Sequence, residues 1–388
     1  MRNLAVLLVA GAMVAGVSAQ KLQTKTYPTS GKPTEAVATP DGQHVLVTVD
    51  AERGSGIDVF HVEGEALKKV AFQPLGGEGA QGIVLIPGTR ILAVGLSNAG
   101  VAFLPLDDAI KGNAKPGMVP QGDRSGSGYL AVTPDGRYLF VANEYGQGGN
   151  LGVIALTRNE QGSLSPKMIA QIATPNTTPG VTISADGKRV YTVGEVVPPG
   201  VSERLPGHGV KELERGSCAQ GGPRTMPNGM LYAIDVAKAE ALQEGASAKD
   251  ARAVTTSVVN AGCSPVREAV TADGALVCVT ARGDNRVLVF DTKKLESDPQ
   301  HAFVHAIATG GEAPVGLKLF DDDKMLLVAN SNRFSGGNGN ATVIDVENGA
   351  IKQKISTGEF PRNITASPDG KTLYMTIFNG NELMVLHQ

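Results

Sequence analysis

Residues 133–143 read TPDGRYLFVAN, in which an acid–glycine turn is followed by a run of apolar residues. A turn of this kind, rich in Pro, Asp or Gly and followed by a short apolar run, recurs seven times along the chain, with its turn residue at positions 41, 88, 135, 186, 273, 323 and 369. Successive copies are 47, 47, 51, 87, 50 and 46 residues apart. One turn motif at a nearly fixed period indicates a repeat architecture. The longest interval fits one repeat that carries an insertion at about 196–228, so we expect seven repeats.

Each repeat has the same internal order of four short segments. An apolar segment precedes the turn (residues 128–133) and a second apolar segment follows it (138–142). A third segment ends near an Asp, as at 287–291, and a fourth is more polar, as at 351–356. Four short strands in each period are typical of a β-propeller blade. We therefore predict an all-β fold, a seven-bladed β-propeller with four-stranded antiparallel blades. Tandem β-sandwiches are the alternative, but they do not predict one turn motif at a fixed period.

The two ends of the sequence suggest how the ring closes. The last repeat has no fourth segment after residues 383–387. Residues 21–42 (KLQTKTYPTSGKPTEAVATPDG) match residues 351–370 (IKQKISTGEFPRNITASPDG), which places an outer strand at residues 21–29. We expect this N-terminal strand to complete the last blade, because an open ring would expose unpaired strand edges.

Composition excludes several classes of protein. The chain has 49 Gly and 22 Pro among 388 residues, which is incompatible with a long coiled coil. The hydrophobic content of 41% and the net charge of −3 exclude a disordered chain. The same near-neutral charge, with only 4% aromatic residues, predicts no nucleic-acid partner.

The N-terminus has the features of a signal peptide. Arg2 is followed by 13 apolar residues at 4–16 and by the small residues Val17, Ser18 and Ala19. We therefore predict a signal peptide at 1–19 and a propeller domain at 20–388. Thirteen apolar residues are too few to span a membrane, so we expect a periplasmic or secreted protein with no membrane or lipid anchor. An uncleaved anchor is the alternative.

The three cysteines fit an oxidising compartment. Cys218 and Cys263 lie in loop-like segments, whereas Cys278 lies in the apolar segment ALVCVT. We expect a Cys218–Cys263 disulfide and a buried free thiol at Cys278, with two independent thiols as the alternative to the pair. The sequence has no CxxC or HxxxH spacing, and we expect no metal site and no cofactor.

Propeller topology brings the ends of the second strands and the starts of the inner strands together at one end of the central channel, the top. Four arginines at such positions come from the last three repeats, and their guanidinium forks suit carboxylate or phosphate groups. The alternative is that the charges at this end only pair with one another. The insertion at about 196–228 leaves from the same end. The candidate ligand-binding residues are Arg267, Arg282, Arg333, Arg362, Glu144, Glu195, Asn143, Asn332 and Asp50.

Residues 133–165, 340–358 and 367–375 resemble the YVTN/lactonase-like family of seven-bladed β-propellers. This family includes lactonases and binding proteins, so the resemblance implies a fold more specifically than an activity. The family's lactonases carry a His soon after the Pro that opens an inner strand. In this sequence four prolines open inner strands, and the residues that follow them are Gly180, Val266, Val315 and Arg362 rather than His. No catalytic residue is therefore identified. We expect a monomeric binding protein for a small polar or anionic molecule or for an extracytoplasmic protein, with a lactonase-type hydrolase as the alternative.

Overall fold

The computed structural model describes residues 21–51, 54–76, 79–122, 125–144, 149–160, 163–174, 177–195, 228–244, 246 and 248–388. Within these residues, 28 strands form seven four-stranded antiparallel sheets. These sheets are the blades of a β-propeller, and the predicted fold class is confirmed. In the same described part of the chain, no helix has the length and apolar character needed to cross a membrane.

The blades follow one another along the chain, and the first strand of each blade lies innermost. Blade 1 contains β2 (Lys32–Ala38), β3 (His44–Asp50), β4 (Gly56–Glu63) and β5 (Ala66–Pro74). Blade 2 contains β6 (Ala80–Leu85), β7 (Ile91–Leu96), β8 (Gly100–Pro105) and β9 (Gly117–Val119). Blade 3 contains β10 (Ser127–Val132), β11 (Tyr138–Asn143), β12 (Asn150–Arg158) and β13 (Leu164–Ala173).

The remaining blades have the same strand order. Blade 4 contains β14 (Gly180–Ile183), β15 (Arg189–Gly194), β16 (Asn228–Asp235) and β17 (Thr255–Cys263). Blade 5 contains β18 (Pro265–Val270), β19 (Leu276–Ala281), β20 (Arg286–Asp291) and β21 (Phe303–Ala308). Blade 6 contains β22 (Pro314–Phe320), β23 (Met325–Asn330), β24 (Asn338–Asp345) and β25 (Ile351–Glu359). Blade 7 contains β26 (Pro361–Ala366), β27 (Thr372–Ile377), β28 (Glu382–His387) and β1 (Gln23–Pro28).

Short helices occupy loops between third and fourth strands. In the loop of blade 4, Asp235 accepts a hydrogen bond from the backbone N–H of Lys238 at 3.0 Å and caps the helix that follows. Asp291 caps the helix of blade 5 in the same way, through Lys294 N–H. Such side-chain caps satisfy backbone donors that a helix start leaves without partners. The described helices are α1 (Leu106–Ile110), α2 (Val236–Glu240), α3 (Ala248–Ala253) and α4 (Thr292–Ser297).

The repeated turns join the first and second strands of each blade, at the bottom of the propeller. In blade 3, Asp135 accepts hydrogen bonds from Thr133 Oγ1 at 2.6 Å and from the Arg137 N–H at 3.0 Å. Gly136 has φ +69°, a conformation that glycine adopts without steric cost. The hydroxyl–aspartate bond recurs in blades 1, 4, 5 and 7. We therefore assign these turns a structural role.

The hydrophobic core lies between neighbouring blades. Leu46 of blade 1, for example, packs in one buried cluster with Leu92 and Leu104 of blade 2. Hydrogen bonds from threonines on the second strands also join adjacent blades: Thr280 Oγ1 donates to the Val315 carbonyl at 2.9 Å, and Thr376 Oγ1 to the Thr34 carbonyl at 3.1 Å. The second strands are accordingly buried on both faces, as continuous apolar runs predict.

The N-terminal strand closes the ring as predicted. In the β1–β28 pair, Gln23 lies opposite His387 and Pro28 opposite Glu382. Leu22, just before β1, is buried. Its backbone N–H and C=O both bond the side-chain amide of Gln353 in blade 6, at 2.9 and 3.0 Å. The N-terminal strand therefore links blade 7 to its neighbour as well as completing it.

Cys278 is buried and carries a free thiol, as predicted. Cys263 is also buried. Cys218, the predicted signal peptide at 1–19 and the insertion at 196–227 lie outside the described residues. The Cys218–Cys263 disulfide therefore stays a prediction.

Candidate functional site

A bulge in the inner strands determines which residues reach the top of the channel. In six of the seven described inner strands, the pairing with the second strand shifts register within the first five residues. A bulge turns the side chains of the extra residues away from the regular pleat. Five residues in these bulges line a cavity at the top of the propeller: Gln81, Val266, Arg267, Val315 and Arg362.

This top cavity has a volume of about 510 Å³. That volume lies within the range of pockets that bind small molecules. The cavity wall consists of residues at the ends of second strands and the starts of inner strands, which is the arrangement that the topology predicts. The predicted site residues that the structure brings together here are Glu144, Glu195, Arg267, Arg282, Asn332, Arg333 and Arg362.

Two predicted site residues lie elsewhere. Asp50 is exposed and borders a separate cleft on the top face, together with Lys32 and Asn381. Asn143 is fully buried inside blade 3. Its side-chain oxygen accepts a hydrogen bond from Ser127 Oγ at 2.9 Å, and its amide group donates to Asn150 Oδ1 at 2.8 Å. Both residues end second strands, but their side chains do not point into the cavity.

Arg282 and Glu195 form an ion pair. Arg282 also donates a hydrogen bond to Ser264 Oγ at 2.9 Å, and Ser264 Oγ donates to the same Glu195 carboxylate. The two charged side chains follow the second strands of adjacent blades and are only 12% and 15% exposed. For these two residues, the structure therefore shows the mutual pairing that the sequence left open as an alternative.

Arg267 lines the cavity and contacts two other blades. Its side chain is largely buried, and its guanidinium lies 3.4 Å from the centre of the Tyr129 ring in blade 3. The same guanidinium donates to the carbonyl oxygens of Pro179 and Val266. A cation stacked on an aromatic face in a desolvated site is held by about 2 kcal/mol. Arg267 thus reaches from blade 5 to blades 3 and 4 with a fixed orientation.

The wall on the side of blade 7 combines a cation with aromatic rings. Arg362 donates a hydrogen bond to Gln81 Oε1 at 2.8 Å, and its guanidinium lies 4.7 Å from the centre of the Phe378 ring. The rings of Phe378 and Phe360 are 5.7 Å apart between centroids. This wall therefore offers positive charge beside apolar surface.

Arg333 lies at the mouth of the cavity, on an exposed loop. Glu312 orders this loop by accepting hydrogen bonds from the backbone N–H groups of Phe334, at 3.0 Å, and of Ser335, at 2.8 Å. Among the residues that the structure describes, none forms an ion pair with Arg333. The loop backbone is thus fixed while the guanidinium of Arg333 stays available.

Two carboxyl groups of the inner strands do not line the cavity but interact with Arg267. Glu35 accepts hydrogen bonds from Ile83 N–H at 2.9 Å and from Asn363 Nδ2 at 2.6 Å. Burial raises the pKa of Glu35 to about 7, although these hydrogen bonds and the nearby arginines lower it. Burial likewise raises the pKa of Glu268 to about 8, against the lowering effect of Arg267.

The sequence contains a signal for both glutamates. Each is an acidic residue inside an otherwise mostly apolar inner strand, in PTEAVA (33–38) and PVREAV (265–270). A buried acidic residue in such a strand needs a specific partner or stays uncharged. Neither glutamate is among the nine candidate residues named from the sequence, because the sequence does not show where a bulge changes the direction of consecutive side chains.

Within the described parts of the chain, no group of three or more His, Cys, Asp and Glu side chains is arranged to hold a metal ion.

Comparison with known proteins supports the fold. No family model and no curated protein matches the sequence. The structure is similar to that of Kuenenia stuttgartiensis hydrazine synthase, with 15% identity and a TM-score of 0.62, over 93% of this chain and 96% of that one. It is also similar to the β-propeller domain of Myceliophteria thermophila Cps50 (Swd1), with 11% identity and a TM-score of 0.63, over 94% and 99% of the two chains. At these identities the similarity concerns the fold alone, that of a seven-bladed β-propeller.

Proposed function

We propose that this protein is an exported β-propeller that binds a small molecule bearing a carboxylate or phosphate group in its top cavity. One observation carries the proposal. Arg267, Arg333 and Arg362 border this cavity, and none of the three forms an ion pair with a described carboxylate within salt-bridge distance. A guanidinium group that has no ion-pair partner can form charge-assisted hydrogen bonds with a bound anion, and such bonds would stabilise the complex.

The walls suggest what else the ligand contains. Guanidinium groups bind the paired oxygens of carboxylates and phosphates in a bidentate geometry. The neighbouring rings of Phe360 and Phe378 provide an apolar surface against which a carbon skeleton or ring can pack. The ligand class that fits both features is an organic acid or phosphate ester with an apolar face.

Export and family membership belong to the same proposal. The apolar segment at 4–16 with its small-residue cleavage pattern supports secretion. The segments at 133–165, 340–358 and 367–375 support membership of the YVTN/lactonase-like family. An exported member would meet ligands of the periplasm or the medium, and a cysteine pair would be oxidised there.

Lactone hydrolysis at the same site is a second candidate. One observation favours it: Glu35 has a pKa of about 7, in the range of an effective general base, and interacts with an arginine that could stabilise an oxyanion. However, neither Glu35 nor Glu268 lines the top cavity. We therefore favour binding without catalysis.

The test compares single arginine variants by calorimetry with citrate, sugar phosphates and sulfate. Arg333→Ala and Arg362→Ala should weaken anion binding by about ten- to a hundredfold, since each removes charge-assisted hydrogen bonds. Arg333→Ala should keep the parent Tm without ligand, because its side chain is exposed and unpaired among the described residues. Arg→Lys should recover only part of the affinity.

Arg137 provides the matched control. It lies on the bottom face, where it pairs with Asp135, so Arg137→Ala should leave anion affinity unchanged. Binding that is equally tight in the parent and in the Arg333 and Arg362 variants would contradict the proposal, as would the absence of binding by any of the anions. Hydrolysis of a lactone by the parent above the buffer rate, lost in Glu35→Gln, would instead support the second candidate.

A further inference from the structure

Arg267 belongs to two environments at once. One side of its guanidinium borders the top cavity. The remainder of the side chain is buried, and its charge acts on Glu35 of blade 1 and on Glu268 of its own strand. A single cation therefore connects the proposed anion site with two carboxyl groups that no ligand in the cavity needs to touch.

The groups that face these carboxyls come from several blades. Glu35 faces Arg362 and Asn363 of blade 7, Arg267 of blade 5 and the backbone of blade 2. Gly82 of blade 2 lies so close that an added Cβ would come within 3.0 Å of the Glu35 carboxylate. Among the described charged groups, only Arg267 and Arg362 interact electrostatically with Glu35.

Glu268 is more isolated. Its carboxylate packs against Gly180 of blade 4, where an added Cβ would approach Oε2 to 2.5 Å. Arg267 provides the only charge that acts on it from the described residues. The backbone N–H groups of Glu268 and Val193 lie near the carboxylate and lower its pKa, but neither carboxyl oxygen makes a hydrogen bond of normal geometry with the described part of the chain, and the same holds for Arg267 Nε and Tyr129 Oη. A buried carboxylate with so few donors is stable as an anion only while the arginine charge is available to it.

We propose that an anion bound to Arg267 from the top cavity causes Glu35 and Glu268 to take up protons, so that this site binds an anion and protons together. The protons come from solvent and form an O–H bond on each carboxyl group. No other bond changes. The inference rests on the proposed function, and it adds that binding of the anion is coupled to proton uptake by the protein.

The charges determine the direction in which anion binding shifts the protonation of the two carboxyl groups. Without ligand, Arg267 favours the ionised form of both carboxyl groups. A bound anion offsets this positive charge and repels the carboxylates, so the protonated forms become more favourable. By linkage, the affinity for the anion must then fall as the pH rises. The pKa values of about 7 for Glu35 and about 8 for Glu268 place this change near neutral pH.

Isothermal titration with sodium sulfate tests the proposal, because sulfate keeps the same charge throughout the range from about pH 6 to about pH 9. We expect the Kd to rise with pH, by up to about tenfold per pH unit for each proton linked. At pH 7.5, the binding enthalpy should depend on the ionisation enthalpy of the buffer, in the direction of proton uptake. Both readouts use the parent protein and so do not depend on the folding of a variant.

Variants then assign the protons. Glu35→Gln and Glu268→Gln preserve shape, and each should reduce both the proton uptake and the pH dependence. Glu63→Gln, an exposed residue at the end of β4 on the opposite face, should change neither. Sulfate binding with a constant Kd and no buffer dependence would overturn this inference and leave the proposed function intact. Failure of sulfate and the other anions to bind even at pH 6 would overturn both.

Discussion

Removal of the N-terminal strand provides the sharpest test of how the ring is held closed. A chain that lacks residues 20–30 loses β1 and, with it, the pairing of Gln23–Pro28 with Glu382–His387. It also loses two anchors that flank the strand. Leu22 contacts blade 6 through Gln353, and Ser30 contacts blade 1 through Asp58.

The size of the effect follows from these contacts. Burial of Leu22, which is 4% exposed, stabilises the fold by about 2 kcal/mol. The Asp58 carboxylate is fully buried and accepts hydrogen bonds from Ser30 N–H at 2.6 Å and Ser30 Oγ at 2.7 Å. Each such bond to a charged group contributes about 1.5–3 kcal/mol. Together with the lost strand pairing, the deletion should cost more than about 5 kcal/mol, a large part of a typical total stability.

Thermal unfolding by circular dichroism measures the loss. Relative to a chain that begins at Gln20, the deletion should lower the Tm by at least about 5 °C, allowing for the smaller shift per kcal/mol in large domains. A synthetic peptide of residues 21–30 should restore part of the Tm by adding the missing strand. Lys25→Ala, an exposed change within β1, should have little effect. A truncated protein that melts within a degree or two of the reference would refute the closure argument.

Three further predictions follow from single residues. Non-reducing peptide mapping should find Cys218 linked to Cys263; recovery of either in another crosslinked peptide would contradict the pair. Gly180→Ala should destabilise the protein by about 1–3 kcal/mol in chemical denaturation, because its Cβ would lie 2.7 Å from the backbone carbonyl oxygen of Val266 and 2.5 Å from the Glu268 carboxylate. Gly117→Ala, with no contact under 4.0 Å, should be nearly neutral. Burial raises the pKa of Glu268 from 4.5 to about 8, so between these pH values the folded protein keeps a proton that the unfolded chain has released, and stability falls as the pH rises across this interval. Glu268→Gln should therefore melt above the parent at pH 9 but not at pH 5, and equal melting at both would argue against a buried carboxyl.

The sequence by itself determined the architecture. The turn motif around Asp135 and its counterparts in blades 1, 4, 5 and 7 is local chemistry, because a Thr or Ser hydroxyl, an Asp and a Gly within four residues make the same turn wherever they occur. Counting the turns gave the number of blades, and the match between residues 21–42 and 351–370 gave the closure. Topology then placed the strand ends at the top, which was enough to bring seven of the predicted site residues to one cavity.

Only the tertiary structure decided what each of these side chains does there. Asn143 and Asp50 both end second strands, yet one is buried within its blade and the other is exposed beside a different cleft. Arg282 meets Glu195 because two blades are adjacent, and Arg267 meets Tyr129 because a bulge turns both side chains toward the channel. Local sequence specifies a strand and its turn. The direction of a side chain at a bulge, and the partner that it meets across a ring, depend on backbone geometry and contacts between residues far apart in the chain.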